Sequence, residues 1–220
     1  MKRKQDPRNE LLNLVPQGIK KVLDVGCGNG SLGAKLKEKQ IEVVGIERNK
    51  DLYTPAKGKL DQVYLADVEK FNLPYPEGYF DCILYADILE HLLDPLATLK
   101  NQDKYLKDDG YIVASIPNVR YYKLIIRLLF GGTWDYVDTG ILDKTHLRFF
   151  TLTNIKELFI RAGYKIIDIR RNIVATRGFR FLNVLCFNKL KDLLTYQFYV
   201  VAEKSADSRR FYAKRKIYQF

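Results

Sequence analysis

Short apolar runs alternate with amphipathic segments along the first half of the sequence, and this alternation limits the folds open to the chain. KVLDVG (21–26) and FDCILYA (80–86) are apolar on consecutive positions, which is typical of strands covered by helices on both faces of a sheet. SLGAKLKEK (31–39) and DPLATLKNQDKYLK (94–107) instead have helical periodicity. The pattern predicts an α/β fold on a mainly parallel sheet.

Seven segments have strand character and define a Rossmann-like, doubly wound, seven-stranded sheet. They are 21–26, 42–47, 62–66, 80–86, 110–116, 165–171 and 195–204. An insert rich in aromatic and basic residues, 118–148, separates the fifth and sixth strands, and a second amphipathic insert occupies 173–194. We therefore predict a single domain over 1–204, followed by a basic C-terminal tail, 205–220.

Two of the predicted helices contain residues that typically mark the beginning or the end of a helix. The first has Asp94 as N-cap and Pro95 in its first turn. The second, TNIKELFIRAGY, ends at Gly163. Asn154 and Glu157 are placed to form its capping box.

The net charge of +11 is confined to the second half of the chain. Residues 1–116 contain 17 Lys and Arg against 18 Asp and Glu, whereas residues 117–220 contain 20 against 8. The second half is expected to attract anions such as a phosphorylated substrate, nucleic acid or an anionic membrane. A solubilising surface with a basic tail explains the excess equally well.

Cysteine usage and hydropathy indicate a cytoplasmic protein. Cys27, Cys82 and Cys186 are far apart and show neither zinc-site spacing nor a disulfide framework. The first ten residues are basic and polar with no apolar run behind them, which argues against a secretory signal. Apolar stretches such as LIIRLLF are too short to span a bilayer.

A glycine-rich loop lies between the first strand and the first helix. In LDVGCGNGSLG, Gly26, Gly28 and Gly30 follow Asp24. Glycine allows the unusual backbone angles of a tight loop and lets a ligand approach the main chain, and the helix that follows presents free N–H groups to an anionic part of that ligand. Gly28, Gly30 and Gly33 also satisfy the dinucleotide fingerprint GxGxxG, which is weak alone.

Acidic residues close the next two strands. Glu47 ends the second strand, where a carboxylate can accept both hydroxyls of an adenosine ribose. Asp67 follows the third strand and can bind an adenine amino group. With Asp24, these acids lie at the carboxyl ends of strands, where open α/β sheets bind ligands. A related domain that binds NAD, or no ligand, is the alternative.

The motif VLDVGCGNG, with these two acids, resembles the class I S-adenosylmethionine-dependent methyltransferases. The resemblance covers 19–117 well and 146–204 in outline. It implies S-adenosyl-L-methionine as cofactor and S-adenosyl-L-homocysteine as product. It also implies that Asp24 orients the amino end of the cofactor, Glu47 holds the ribose and Asp67 holds the adenine. The implied cofactor-binding residues are Asp24, Gly26, Cys27, Gly28, Gly30, Glu47, Asp67, Val68, Ala86 and Asp87.

The stretch DILEHL (87–92) follows the fourth strand and contains one of the two histidines. If it is helical, Asp87, Glu90 and His91 share one face and can bind a divalent cation. Together with His146 in DKTHLRFFT, it resembles ubiquinone-pathway O-methyltransferases and plant small-RNA 2′-O-methyltransferases. That resemblance implies magnesium held by these four residues, although Asp87 stands where those relatives usually have glutamate.

A second interpretation of this stretch needs no metal. Glu90 then lines the pocket, and His91 or His146 acts as general base, because a neutral imidazole is available near pH 7.

The first insert is expected to shape the acceptor pocket. Its aromatic rings suit sugars or bases and its cations suit phosphate, although the rings can equally serve to pack a lid. The candidate substrate residues are Arg120, Tyr121, Tyr122, Trp134 and Tyr136. The pattern PNVRYY…THLRFFT looks like methyltransferases of bacterial surface-polysaccharide and lipid-linked glycan pathways.

The predicted function is O-methylation of a small, sugar-containing or lipid-linked acceptor. Metal-assisted RNA 2′-O-methylation is the second hypothesis, although no separate RNA-binding module is evident. A non-catalytic cofactor-binding protein or membrane adaptor is the third. VRYYKLIIRLLF and RFLNVLCFNKLKDLL are both cationic and apolar, so each can lie on a membrane surface or pack on the core. The sequence does not indicate an oligomeric state.

Overall fold

Seven strands form one sheet in the structure, a computed structural model that describes residues 7–205. They are β1 (Lys21–Val25), β2 (Glu42–Glu47), β3 (Gln62–Leu65), β4 (Phe80–Ala86), β5 (Leu106–Pro117), β6 (Tyr164–Ile173) and β7 (Thr195–Lys204). Their order is β3-β2-β1-β4-β5-β7-β6. The strand pairs from β3 to β5 are parallel, and β7 runs antiparallel to β5 and β6. The predicted Rossmann-like, mainly parallel sheet is confirmed.

Helices connect these strands. They are α1 (Pro7–Leu12), α2 (Ser31–Lys37), α3 (Lys50–Lys57), α4 (Pro95–Gln102), α5 (Tyr122–Gly131), α6 (Leu152–Ala162) and α7 (Arg177–Leu185), with single 3₁₀ turns at Leu89–His91 and Asp103–Tyr105. Helix α5 belongs to the first insert and α7 to the second. None of the helices in the described part of the chain has the length and apolarity needed to cross a bilayer. From residue 206 onward, the predicted basic tail lies outside the described residues.

Both faces of the sheet are covered, which explains the consecutive apolar residues in its strands. Along β4, Cys82 and Leu84 are buried in a cluster on one face, and Ile83 and Tyr85 are buried in a cluster on the other. Alternate side chains of a strand point to opposite faces. A strand with both faces buried is therefore apolar at every position.

The helix predicted over 94–107 is shorter in the structure. Its start is as predicted, because the Asp94 side chain accepts a hydrogen bond from the backbone N–H of Ala97 at 2.9 Å. Its end is at Gln102, and β5 already begins at Leu106, which pairs with Phe80 of β4. Strand pairing thus overrides the local helical periodicity.

The capping box of α6 differs from the predicted one. The N-cap is Thr151, whose Oγ1 accepts from the backbone N–H of Asn154, and Asn154 Oδ1 accepts in return from the backbone N–H of Thr151. The helix begins earlier than expected, so Asn154 occupies its third position and Glu157 takes no part in the box. The predicted end at Gly163 is confirmed, with this glycine in the left-handed region at φ 100°.

The two inserts fold against each other. Their buried residues form a third cluster, which we call the insert cluster: Tyr121, Tyr122, Leu124, Ile141, Leu142 and Leu194. The buried Asn118 amide donates hydrogen bonds to the backbone carbonyls of Asp192 and Thr195, both at 2.8 Å. The start of the first insert is therefore fixed to the end of the second.

Asp81 fixes the start of the central strands. Its Oδ2 accepts hydrogen bonds from the backbone N–H groups of Lys20 and Lys21, both at 2.8 Å, and its Oδ1 accepts from Lys107 Nζ. Burial alone raises the pKa of Asp81, but the hydrogen bonds from Lys107, Lys20 and Lys21 outweigh it and lower that pKa. The ionised carboxylate thus stabilises the fold above the unfolded-state pKa, and this stabilisation is lost as pH falls through the folded-state pKa.

Asp81→Asn is therefore expected to destabilise the protein at pH 7 by about 1.5–3 kcal/mol, the usual contribution of hydrogen bonds to a charged group. Thermal denaturation at pH 7 and pH 3 tests this, because the difference from wild type should shrink at the lower pH. Asp109→Asn is the matched control, since the Asp109 side chain is exposed. An equal loss at both pH values would contradict the assigned role of the Asp81 charge.

Candidate functional site

The glycine loop follows β1 at the carboxyl edge of the sheet, as predicted. Gly28 adopts φ +56°, and a Cβ placed on it would meet no atom within 4 Å. Gly30 adopts φ +74°, and a Cβ there would lie 3.0 Å from the backbone of Ala56 in α3. Gly28 therefore has open space beside it, whereas Gly30 is required by close packing.

Glu47 holds this loop in place. Its Oε2 accepts a hydrogen bond from the backbone N–H of Gly28 at 2.9 Å, and its Oε1 accepts from that of Asn49 at 2.7 Å. Each carboxylate oxygen can accept more than one hydrogen bond. The buried Glu47 can thus support the loop and still accept hydroxyl groups from a ligand.

Asp24 and Cys27 lie beneath the loop. Asp24 is buried, and its Oδ2 approaches Gly33 in the first turn of α2. The Cys27 thiol packs against Gly45 of β2, and burial, followed by the charges of Asp24 and Glu47, raises the pKa of this thiol. Cys27 is thus a neutral part of the core, and its backbone belongs to the loop.

The residues predicted to surround an adenine lie after β3 and at the end of β4. Asp67 Oδ1 accepts from the backbone N–H of Glu69 at 3.0 Å, and about two-fifths of the Asp67 side chain is exposed, 42%. Val68 packs against the main core, and Ala86 is the last residue of β4. The Asp67 carboxylate therefore remains accessible to a ligand.

The helix considered for 87–91 does not form. Asp87 is in the left-handed region at φ 55°, and only Leu89–His91 makes a 3₁₀ turn. The Asp87 carboxylate accepts hydrogen bonds from Ser115 Oγ at 2.9 Å and from Gln197 Nε2. The carboxylate is therefore bonded to β5 and β7, and it is not among the ligand atoms that lie close together at Glu90, His91 and His146.

A backbone contact brings the two histidines together. The carbonyl oxygen of Glu90 accepts from the backbone N–H groups of Leu147 and Arg148, at 2.8 and 3.0 Å. The ring centroids of His91 and His146 consequently lie 4.6 Å apart, in an edge-to-face arrangement. The structure thus brings together two histidines that are 55 positions apart in the sequence, the pair that the resemblance grouped.

Hydrogen bonds define which ring nitrogen carries the proton in each histidine. His146 Nδ1 lies 2.9 Å from the carbonyl oxygen of Ile141, which can only accept. His91 Nδ1 lies 3.0 Å from Thr145 Oγ1, whose own proton is directed at Asp143 Oδ1, 2.6 Å away. These contacts favour the tautomer of each ring that carries its hydrogen on Nδ1 and presents Nε2 as an acceptor.

Glu90 is a buried carboxylate beside this pair, with 1% of its surface exposed. Among the described residues, neither of its oxygens has a hydrogen-bond partner, and His146 Nε2 lies 4.0 Å from Oε1. Burial, followed by the charge of Asp87, raises the pKa of Glu90 well above its usual range. Glu90 is therefore suited to hold a proton or to face a cation.

A metal ion could be held jointly by Glu90, His91 and His146. Each side chain offers one ligand atom, and these atoms lie within 4.8 Å of one another. The carboxylate without hydrogen bonds fits such a role. Two imidazoles and one carboxylate suit a borderline transition metal, whereas magnesium prefers oxygen ligands and keeps several waters. The donor set therefore fits a transition metal better than the expected magnesium, and Asp87 is not part of it.

The candidate substrate residues separate into two groups. Tyr121 and Tyr122 are buried in the insert cluster, where Tyr121 donates to the carbonyl of Val174 at 2.8 Å. Trp134 and Tyr136 instead surround Phe149, whose ring lies 6.4 Å from that of His146. Trp134 and Tyr136 therefore lie near the histidines, whereas Tyr121 and Tyr122 pack the interior of the insert cluster. Arg120 is exposed at the start of the insert.

Several residues of the site were not recognised in the sequence. Thr145 and Asp143 orient His91, and the polar run DKTH before the second histidine was the available signal. Ser115 and Gln197 hold Asp87 from positions 28 and 110 residues away. Nothing local marks these two, because tertiary packing alone brings them to Asp87.

Comparisons with known proteins agree on one family. A family model described as "Methyltransferase domain" matches residues 2–169. The ubiquinone biosynthesis O-methyltransferase of Acinetobacter baylyi is 30% identical over 132 residues, which cover 53% of this chain and 56% of that protein. The enzyme of the same name from Psychrobacter arcticus is 30% identical over 166 residues, or 68% and 61% of the two chains. The chain thus spans little more than half the length of these curated relatives.

Solved structures share the fold. A SAM-dependent methyltransferase from Archaeoglobus fulgidus aligns with a TM-score of 0.67 and 22% identity, covering 90% of this chain and 93% of that one. An S-adenosylmethionine-dependent methyltransferase from Mesorhizobium loti aligns with a TM-score of 0.62 and 17% identity, covering 89% and 96%. At these identities the likeness concerns the fold.

Glu90→Gln is expected to stabilise the metal-free protein at pH 8. Because the pKa of Glu90 is raised, the folded chain binds its proton more tightly than the unfolded chain does. Wild-type stability therefore falls as pH rises above about 4.3, the usual glutamate pKa. The amide does not ionise, so thermal denaturation with chelator at pH 8 should give a Tm higher by at least about 2–4 °C, which corresponds to 1 kcal/mol.

Near pH 4 the two proteins should differ little, because Glu90 is then protonated in both states. The exposed Glu157→Gln is the matched control and should follow wild type across the range. If the Glu90→Gln and wild-type Tm values instead run in parallel from pH 4 to pH 8, ionisation of the buried Glu90 carboxylate does not lower the stability of the folded protein.

Proposed function

This chain belongs to the family of class I S-adenosylmethionine-dependent methyltransferases, and we propose that it transfers a methyl group to a hydroxyl oxygen of a small, sugar-containing or lipid-linked acceptor. The observation that carries the proposal is the close pair of histidines, His91 and His146, whose Nδ1 atoms are hydrogen-bonded and whose Nε2 atoms are therefore left to act on an acceptor. A hydroxyl acceptor needs such a base, because its proton must leave during transfer.

Three features are suited to hold S-adenosylmethionine. The open side of Gly28 gives room for the amino-acid part, Glu47 can accept the ribose hydroxyls, and the accessible Asp67 can accept from the adenine amino group. When bound, the cofactor supplies a methyl group already activated on a sulfonium sulfur. The chain must therefore position the acceptor oxygen, remove its proton and exclude water.

His91 is the proposed general base. Its Nδ1–H is held by Thr145, and the link from Thr145 to Asp143 supports the positive charge that forms when Nε2 takes a proton. Burial, and next the neighbouring His146, lower the pKa of His91 below its usual value. The ring is therefore neutral and able to accept a proton at pH 7. The His146 ring lies beside that of His91, and Glu90 lies 4.0 Å from His146 Nε2.

The acceptor class is inferred from the lid and from the relatives. Two curated relatives are named ubiquinone biosynthesis O-methyltransferases, which favours oxygen as the accepting atom. Trp134, Tyr136 and Phe149 form an aromatic wall beside His146, and aromatic faces suit a phenolic ring or a sugar. Arg120 and its neighbour Lys123 add positive charge for a phosphorylated acceptor.

Metal-assisted transfer is the second candidate, and the Glu90, His91 and His146 group favours it. A metal held there would lower the pKa of a hydroxyl and replace the histidine base. RNA 2′-O-methylation is the form of this chemistry that the basic second half of the chain could support.

The experiment that tests the proposal measures S-adenosylhomocysteine formation by the purified protein with a catechol, a nucleotide sugar and an RNA oligonucleotide. Turnover on either small acceptor, unaffected by EDTA, supports the proposal. Turnover on RNA that EDTA abolishes and Mn²⁺ or Zn²⁺ restores supports the metal-assisted candidate. Tight binding of S-adenosylhomocysteine with no turnover on a broader acceptor panel would indicate a non-catalytic protein.

His91→Ala is expected to lower kcat by about 10²–10⁴, the usual contribution of a general base, and to leave S-adenosylhomocysteine affinity unchanged. The pH profile gives an independent check. Wild-type kcat should be constant near pH 7 and fall below about 6.5, the ordinary histidine pKa, because the pKa of His91 is lowered. In the His91→Ala variant, this fall of kcat at low pH should be absent. A variant with wild-type kcat would exclude His91 as the base.

Gly28→Ala is expected to weaken S-adenosylhomocysteine binding at least tenfold in calorimetry. The added methyl group would enter the open space beside the loop, and the left-handed backbone costs alanine about 1–2 kcal/mol, so Tm should fall by only a few degrees. Gly58→Ala is the matched control, because Gly58 has φ −80° and room for a methyl group. Unchanged affinity in Gly28→Ala would place the ligand elsewhere.

A further inference from the structure

Helix α5 exposes a series of large apolar side chains. They are Ile125, Ile126, Leu128, Leu129 and Phe130. Leu129 is 71% exposed and Phe130 is 81% exposed. Only the first turn of the helix is anchored, through the buried Tyr122 and Leu124. The rest of α5 projects away from the insert cluster.

Helix α7 and the residues after it show the same property. The exposed side chains are Phe181, Leu182, Val184, Leu185 and Phe187. Phe187 is 86% exposed, and Asn183 is the buried residue of this helix. Within the described part of the chain, these two short segments hold more than half of all exposed large apolar side chains.

Helices α5 and α7 both begin at the insert cluster. The ring of Tyr122 lies 4.3 Å from that of Phe179, which is in the first part of α7. The backbone N–H of Tyr122 donates to the carbonyl of Leu193, and that of Val174 donates to Leu194. The insert cluster therefore anchors two neighbouring helices, each of which exposes apolar side chains to solvent.

Core packing does not account for these faces. An amphipathic helix that packs on the core buries its apolar side chains, and here they remain exposed to solvent among residues 7–205. Exposed apolar patches of this kind mark surfaces that contact another molecule.

The charge around the helices identifies the partner. Residues 118–148 and 173–194 together contain nine Lys and Arg, four Asp and no Glu. Arg127 pairs with Asp135, whereas the exposed Lys123, Arg177 and Lys189 lie beyond ion-pair distance of every acid among the described residues. Apolar side chains flanked by cations match an anionic lipid surface, in which the cations reach the head groups.

We propose that α5 and α7 dock this protein on anionic membranes, lying in the interface with their apolar side chains inserted. At ten and nine residues, the helices are too short to span a bilayer and suit this orientation. Another copy of the chain would bring two surfaces of the same charge together. Residues 206–220, with five cations and one acid, also share that charge. An anionic bilayer is the complementary occupant, whatever reaction the protein catalyses.

Co-sedimentation of the full chain with vesicles tests this proposal. Wild type should bind phosphatidylcholine vesicles that contain 30% phosphatidylglycerol at least tenfold more tightly than pure phosphatidylcholine, and high salt should weaken the binding. Leu129→Glu/Phe130→Glu, and separately Phe181→Glu/Val184→Glu, should each reduce the binding at least tenfold. Ile160→Glu/Ile167→Glu is the matched control, because both residues are exposed on other elements and should leave binding unchanged.

Three outcomes would overturn the proposal: no binding to anionic vesicles, equal binding to neutral ones, or wild-type binding by both insert variants, which would point to another basic segment. A dimer in analytical ultracentrifugation that the α5 variant dissociates, without vesicle binding, would make a second copy the occupant. If a variant fails to fold, amide hydrogen exchange of wild type decides the matter. Vesicles should slow exchange in 122–131 and 177–187, and no slowing would reject the docking surface.

Discussion

The carbonyl oxygen of Glu90 is the point on which the candidate site depends. It accepts the backbone N–H groups of Leu147 and Arg148, and this contact joins the turn after β4 to the end of the first insert. His91 and His146 lie on these two separate loops, and the contact between Thr145 and His91 Nδ1 joins the loops a second time. Because a carbonyl oxygen offers two lone pairs, one backbone atom can fix both the lid and the catalytic candidates, and no particular side chain is needed for the contact.

The same residue places a carboxylate where water does not reach. Burial of a charge without hydrogen bonds is costly, so the Glu90 side chain is suited to keep a proton or to face a metal ion. A group that costs stability in the folded chain and lies beside two imidazoles is a mark of function rather than of packing. The candidate site is therefore identified by its energetic cost as well as by its geometry.

The two inserts connect this site to the surface of the protein. Phe149 and Trp134 pack against the insert cluster, and Phe149 also approaches His146. The same cluster supports the exposed apolar residues of α5 and α7. One small hydrophobic unit, distinct from the two clusters that cover the sheet, thus links the aromatic residues beside His146 to the proposed docking surface.

The sequence by itself determined the sheet, the glycine loop and the acids at the strand ends. Apolar periodicity, glycine and capping preferences act over a few residues, so Gly28, Glu47 and the start of α4 at Asp94 could be placed from local patterns. Tertiary structure decided what local patterns cannot specify. Hydrogen bonds from Ser115 and Gln197 tie the Asp87 carboxylate to β5 and β7, and Asp87 is not part of the candidate ligand group. Pairing of Leu106 with β4 shortened a helix, and the apolar faces of α5 and α7 stayed uncovered. Amphipathicity shows that a helix has an apolar face, but only the packing around it decides whether that face is buried.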